Sequence, residues 1–94
     1  ESPYVERWVT DTFFAFSRGE MMVMTTNKWD EVDIDVTYHP YSEGEEVCNI
    51  FWPDVDCTTI QGGVLKAHLI NGESKIYLPK SNSYWGNGAQ MFVQ

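Results

Sequence analysis

Residues 13–27 read FFAFSRGEMMVMTTN, an aromatic-rich run, a break at Ser17-Arg18-Gly19-Glu20, and a second apolar run that ends in Thr25-Thr26-Asn27. Two extended apolar segments separated by a short turn containing glycine are the local pattern of a β-hairpin. The pattern recurs along the chain. Val32-Asp33-Ile34-Asp35-Val36-Thr37-Tyr38 alternates strictly, with Val32, Ile34, Val36 and Tyr38 on one side and Asp33, Asp35 and Thr37 on the other. Such a strand has one dry face and one acidic, wet face.

Beyond it, His39 to Gly44 reads as loop, because Pro40 disfavours helical geometry at His39 and Gly44 supplies turn freedom. Glu46 to Phe51 resumes a strand, and Thr58-Thr59-Ile60 is a short β-branched one. Gly62-Gly63 predicts a hairpin into Val64–Ile70, where Leu65, Ala67 and Leu69 face opposite to Lys66 and His68. Asn71-Gly72 is the favoured type I′ pair, and it predicts that Lys75–Leu78 folds back as the partner strand before Pro79. Helical periodicity is sustained nowhere. The expected fold is all-β, an antiparallel, Greek-key-like β-sandwich of seven or eight short strands, with Trp8, Phe14, Phe16, Tyr38 and Tyr77 in its core.

A chain of 94 residues makes a single domain spanning 1–94, with a polar, Gly/Asn-rich extension over 81–94 that contains Tyr84-Trp85 and a short apolar end, Met91–Val93. Apolar residues at 43% are enough for a packed core and too many for disorder. Six basic residues against fourteen acidic ones, net −8, make nucleic acid and anionic lipid surfaces poor partners. The longest apolar run, Met21–Met24, falls far short of the ~20 residues of a membrane helix. The N-terminal residues show no basic region followed by an apolar one, and a start at Glu1 rather than Met leads to the expectation of a processed chain or an excised domain.

Cys48 and Cys57 are separated by NIFWPDVD, a spacing that suits a disulfide closing a short excursion between strands. Closing so small a loop is worth about 2.5–3 kcal/mol in the chain-entropy model, and it implies an oxidising, secretory compartment. Two separately buried thiols in a cytosolic chain are the alternative. A zinc site would have to recruit His39 and His68 to complete four ligands.

Four motifs in order carry a family resemblance. Phe14-Ala15-Phe16-Ser17-Arg18-Gly19, followed by an apolar strand and Thr26-Asn27, resembles the start of the C-terminal β-sandwich domain of alpha-amylases. His39-Pro40-Tyr41-Ser42-x-Gly44 and Val47-Cys48-Asn49-Ile50 follow, and Gly72 to Pro79, GESKIYLP, is similar to that domain's closing strand. The resemblance implies a non-catalytic accessory domain of a glycoside hydrolase. In that family the domain packs beside a (β/α)8 barrel that holds all the catalytic carboxylates; it stabilises the enzyme and is sometimes suggested to touch starch. The barrel motifs have no matching positions here, so no catalytic role carries over. After Pro79 the chain departs from the family pattern.

Candidate chemistry is sparse. Asp33 and Asp35 read as the solvated face of a strand rather than as a glycosidase pair, and His39 and His68 read as solvated. Asp54 and Asp56, with Glu43, Glu45 and Glu46 near in sequence, offer oxygens to Ca²⁺, but their spacing matches no EF-hand loop. No metal or other cofactor is expected. Trp29, Trp52, Tyr84 and Trp85 fall in expected loops, where flat aromatic rings suit stacking on the apolar C–H faces of sugars. They are the candidate glycan-binding residues, with α-glucan or another glycan as the ligand. Partners would be a (β/α)8 domain or copies of the chain itself. The competing expectation is a structural subunit of an extracellular fibre or oligomer, with Val5–Val9 and Met91–Val93 pairing onto a neighbour's sheet edge.

Overall fold

The computed structural model describes residues 4–82; the candidates Tyr84 and Trp85 and the segment Met91–Val93 lie outside the described residues. The described chain is all-β, with strands β1 (Tyr4–Val9), β2 (Phe13–Arg18), β3 (Met21–Thr26), β4 (Val32–Val36), β5 (Glu46–Asn49), β6 (Cys57–Thr59), β7 (Leu65–Leu69) and β8 (Ser74–Pro79). Six strands form one sheet in the order β1-β2-β3-β8-β5-β6, and β4 and β7 pair as a second. Every pairing is antiparallel. The two sheets enclose Phe13, Met22, Met24, Val36, Val47, Ile60, Leu65, Leu69 and Tyr77.

The opening hairpin forms as expected, closed by a two-residue turn at Gly19-Glu20 in which Gly19 takes φ 60°. Its phase is opposite to the expected one. Phe13, Ala15 and Ser17 are buried, while Phe14 and Phe16 face outward and are half-buried. The register explains this: Ala15 and Ser17 sit opposite Met24 and Met22, whose side chains fill the space between the sheets. Small residues facing long ones conserve core volume. Because the side-chain period is two, the two rings then have to occupy the outer face.

Other expectations need correction. Tyr38 lies past the end of β4 and is 53% exposed, with the Arg7 guanidinium 4.4 Å from its ring centre. Gly62-Gly63 and Asn71-Gly72 do adopt positive φ throughout, as tight turns require, but neither joins hydrogen-bonded neighbours. The Gly62-Gly63 turn closes a lone bridge, Gln61 to Val64, and then the chain passes from β6 into the other sheet. The Asn71-Gly72 turn likewise carries the chain from β7 back to β8 in the six-stranded sheet.

Burial gives the reason. Strand β7 alternates and suits a sheet with one wet face, whereas Tyr77, Leu78 and Pro79 of β8 are buried in succession, which only a central strand accommodates. Val5–Val9 is part of β1, paired with β2 in its own sheet across a bulge between Glu6 and Trp8. Trp8 packs against the core and Tyr77 is inside it, as expected.

At the end of the sandwich that holds the Gly19-Glu20 turn, Tyr41 is a structural post that the sequence did not single out. Its hydroxyl lies within hydrogen-bond distance of the carbonyls of Glu20 (2.9 Å) and Tyr77 (3.3 Å). Burial, then the nearby Glu45 and Glu20 carboxylates, push its phenol well above the usual range. Beside it the Glu43 carboxylate accepts the N–H groups of Gly62 and Gly63, each at 2.8 Å, and is held below its usual pKa by those bonds. His39 is also engaged rather than simply solvated, with Nε2 2.8 Å from the Gly63 carbonyl and Nδ1 accepting the Tyr41 N–H. His68 is exposed and lies 2.6 Å from Asp33 across the β4–β7 pair.

Candidate functional site

Antiparallel strand direction places the β1–β2 turn, the loop of residues 27–31, the loop of residues 50–56 and the Asn71-Gly72 turn at one end of the sandwich. Two of the candidate tryptophans, Trp29 and Trp52, are therefore delivered to the same end by separate loops. They are 76% and 65% exposed, so neither serves as a core plug.

The loop bearing Trp29 is tied down on both sides. The Thr26 hydroxyl donates to the Thr12 carbonyl and accepts the Lys28 N–H, and the Gly72 N–H donates to the Lys28 carbonyl at 2.9 Å. Gly72, at φ 72°, lies against the Trp29 ring: a Cβ there would stand 4.0 Å from it.

The loop bearing Trp52 is braced more heavily. Cys48 and Cys57 are opposite each other on β5 and β6, and they form the expected disulfide with a Cα separation of 4.0 Å. Above that link, main-chain N–H groups donate from Ile50 to the Ile76 carbonyl, from Trp52 to that of Asn49, from Asn49 to that of Asp56 and from Asp56 to that of Trp52. The carboxylate of Asp56 is the hub. One oxygen accepts from Asn49 Nδ2 at 3.0 Å and pairs with Lys75 Nζ at 2.9 Å; the other accepts the Tyr77 hydroxyl at 3.0 Å.

Burial alone would raise the Asp56 carboxyl, but the hydrogen bonds from Lys75, Asn49 and Tyr77 outweigh it and hold the group below the usual carboxylate range. Burial first, and then the Asp56 charge, push the Tyr77 phenol up. The hub lets the loop hold Phe51, Trp52 and Val55 in water at 56%, 65% and 80% exposure. Large apolar groups held in water on a firmly braced loop are a feature that contact surfaces share.

The calcium candidates come out differently. Asp54 is exposed, while Asp56 has both oxygens occupied and an ammonium group where a cation would sit. Among the described residues the one cluster with metal-ligand spacing is Glu46, Cys48 and Cys57, and its two sulfurs are joined in the disulfide.

A feature that the sequence did not disclose lies at the same end. A surface pocket of about 180 Å³ opens between the β1–β2 turn and the end of β3, lined in part by Asp11, Phe14, Thr25 and Asn27. Both Phe13 and Phe14 line it, Phe14 from the outer face to which the hairpin phase turns it. The only sequence clue was that Phe13 and Phe14 are adjacent, so one of them had to face out.

No family model matches the chain, and no curated protein sequence matches it. The fold does match part of a solved alpha-amylase from Malbranchea cinnamomea, with a TM-score of 0.80 over 93% of this chain at 22% identity. That match spans 19% of the alpha-amylase's own length, and the likeness is one of fold.

Proposed function

We propose that this chain is a secreted, non-catalytic accessory module resembling the C-terminal domain of alpha-amylases, which packs against a partner domain and holds α-glucan at its tryptophan-bearing end. The observation that carries the reading is the delivery of Trp29 and Trp52 to one end by separately braced loops, both rings mostly in water. Flat indole rings present apolar area at low entropic cost, which suits the C–H faces of glucose units. The fold shared with part of an alpha-amylase supports the same family of roles. The disulfide supports an oxidising, extracellular setting.

The packing role has its own surface. Outward positions of β1, β2, β3 and β8 include Tyr4, Val9, Phe14, Phe16, Val23 and Ile76, an apolar sheet face in a chain of net charge −8. Antiparallel sheets that face water on one side normally alternate to polar residues there. A catalytic (β/α)8 domain is the partner that the family resemblance supplies.

The test is retention on insoluble starch. The chain is expected to be retained and eluted by maltooligosaccharide, with Trp52→Ala and Trp29→Ala each weakening retention. Passage of the parent chain in the void would refute the glucan part. A concentration-dependent dimer or filament in sedimentation would instead favour a structural subunit.

A further inference from the structure

The pocket beside the β1–β2 turn combines the apolar and polar groups that a neutral sugar requires. Phe14 lines it from the outer face, sits between Val9 of β1 and Thr25 of β3 and is 5.7 Å from the Phe16 ring. Asp11 lines it, and the Asp11 carboxylate makes no hydrogen bond or ion pair among the described residues. So does Asn27, whose amide Nδ2 makes a long 3.4 Å contact with the Asp11 carbonyl and whose amide oxygen stays available. The Thr25 hydroxyl accepts from Ser74 at 2.8 Å and keeps its own proton to donate. At about 180 Å³ the space is of the size of one hexose unit.

We infer that this pocket is a glycan subsite that takes a single neutral hexose unit of an oligosaccharide. The sugar's C–H face lies on Phe14. Two neighbouring hydroxyls donate to the Asp11 carboxylate, and others bond to Asn27 and Thr25. Carboxylate and amide groups beside an aromatic wall are the mix by which proteins orient a polyhydroxylated ring, because the ring is apolar on its face and polar around its edge. The choice of a neutral sugar follows from charge: Asp11 repels sulfated or uronic units, and Asp30 and Glu31 lie on the adjoining loop.

This subsite rests on the glucan-holding reading and adds a contact site apart from the two tryptophans. Asn27 follows the end of β3 and opens the loop that carries Trp29, so an oligosaccharide spanning both would be gripped at two points.

The experiment is an amide NMR titration of the 94-residue chain with maltose and maltotriose, repeated on Asp11→Ala and Asn27→Ala, with Trp52→Ala as comparison. Asp11 sits in an exposed turn and uses its main-chain carbonyl toward Asn27, so Ala leaves the local fold intact; unchanged amide shifts elsewhere in the spectrum verify this. The expected result is saturable shifts at Asp11, Phe14 and Asn27, with affinity reduced about tenfold in Asp11→Ala, as befits loss of a charge-assisted acceptor. Shifts confined to the neighbourhoods of Trp29 and Trp52, with Asp11→Ala binding as the parent does, would overturn the subsite and leave the glucan reading standing. Absence of shifts anywhere with either sugar would overturn both.

Discussion

Asp56→Ala should destabilise the domain by about 3 kcal/mol, and the figure follows from what the carboxylate holds. Lys75 points into the sandwich and its side chain is only 9% exposed, so removing its partner 2.9 Å away strands an ammonium group in a poorly solvated place. Breaking a buried pair on one side costs about 3–5 kcal/mol. Asp56 itself is 24% exposed and Glu73 stands 3.9 Å from the same ammonium, and both soften the loss. Against that, the Tyr77 hydroxyl and the Asn49 amide each lose an acceptor, at about 1 kcal/mol apiece.

The net of about 3 kcal/mol is a large fraction of the 5–15 kcal/mol that a small domain possesses. Urea unfolding followed by far-UV circular dichroism measures it. The companion variant Lys75→Met should lose less, because it removes the buried charge and leaves Asp56 near water. In the double variant the two losses should fall well short of adding. A change under 0.5 kcal/mol for Asp56→Ala, or strict additivity, would refute the view of Asp56 as the hub of the loop.

Reduction of the Cys48–Cys57 link, or its replacement by two alanines, should lower stability by about 2.5–3 kcal/mol, read as a shift of the urea midpoint with and without reductant. Met24→Ala, at a fully buried position, should cost about 2–5 kcal/mol, whereas Phe14→Ala on the outer face should cost distinctly less; the reverse ranking in thermal melts would restore the opposite hairpin phase. Acid should weaken the fold. Asp56 and Glu43 both have carboxyl pKa values lowered in the folded state, so their stabilisation is present above the unfolded carboxylate values near pH 4 and is lost as pH falls through the lower folded ones. Melting temperatures that stay flat from pH 6 down to about pH 2.5 would contradict this.

Strand existence was legible because it is written locally. Alternation in Val32–Val36 and Leu65–Leu69, and turn chemistry at Gly19, Gly62-Gly63 and Asn71-Gly72, each depend on residues a few positions apart. Strand partnership was less legible. The positive-φ turns were correctly placed, but a tight turn does not dictate that its flanks stay hydrogen-bonded, and two of them lead from one sheet to the other. The loop positions of Trp29 and Trp52 were legible, but their exposure was not, nor was the Asp56 hub, since Asn49, Asp56, Lys75 and Tyr77 come from three separate segments of sequence.

By itself, then, the sequence determined an all-β domain, its turns, a cysteine spacing that suits a disulfide and the loop positions of Trp29 and Trp52, because propensity, periodicity and short-loop closure act over neighbouring residues. Tertiary packing decided the rest. Which of Phe13 and Phe14 enters the core was settled by Met22 and Met24 across the hairpin and by the need to fill the space between two sheets at constant density. That choice turned Phe14 outward beside Asp11, at a pocket no local pattern foretells, because it is made where the β1–β2 turn meets the end of β3.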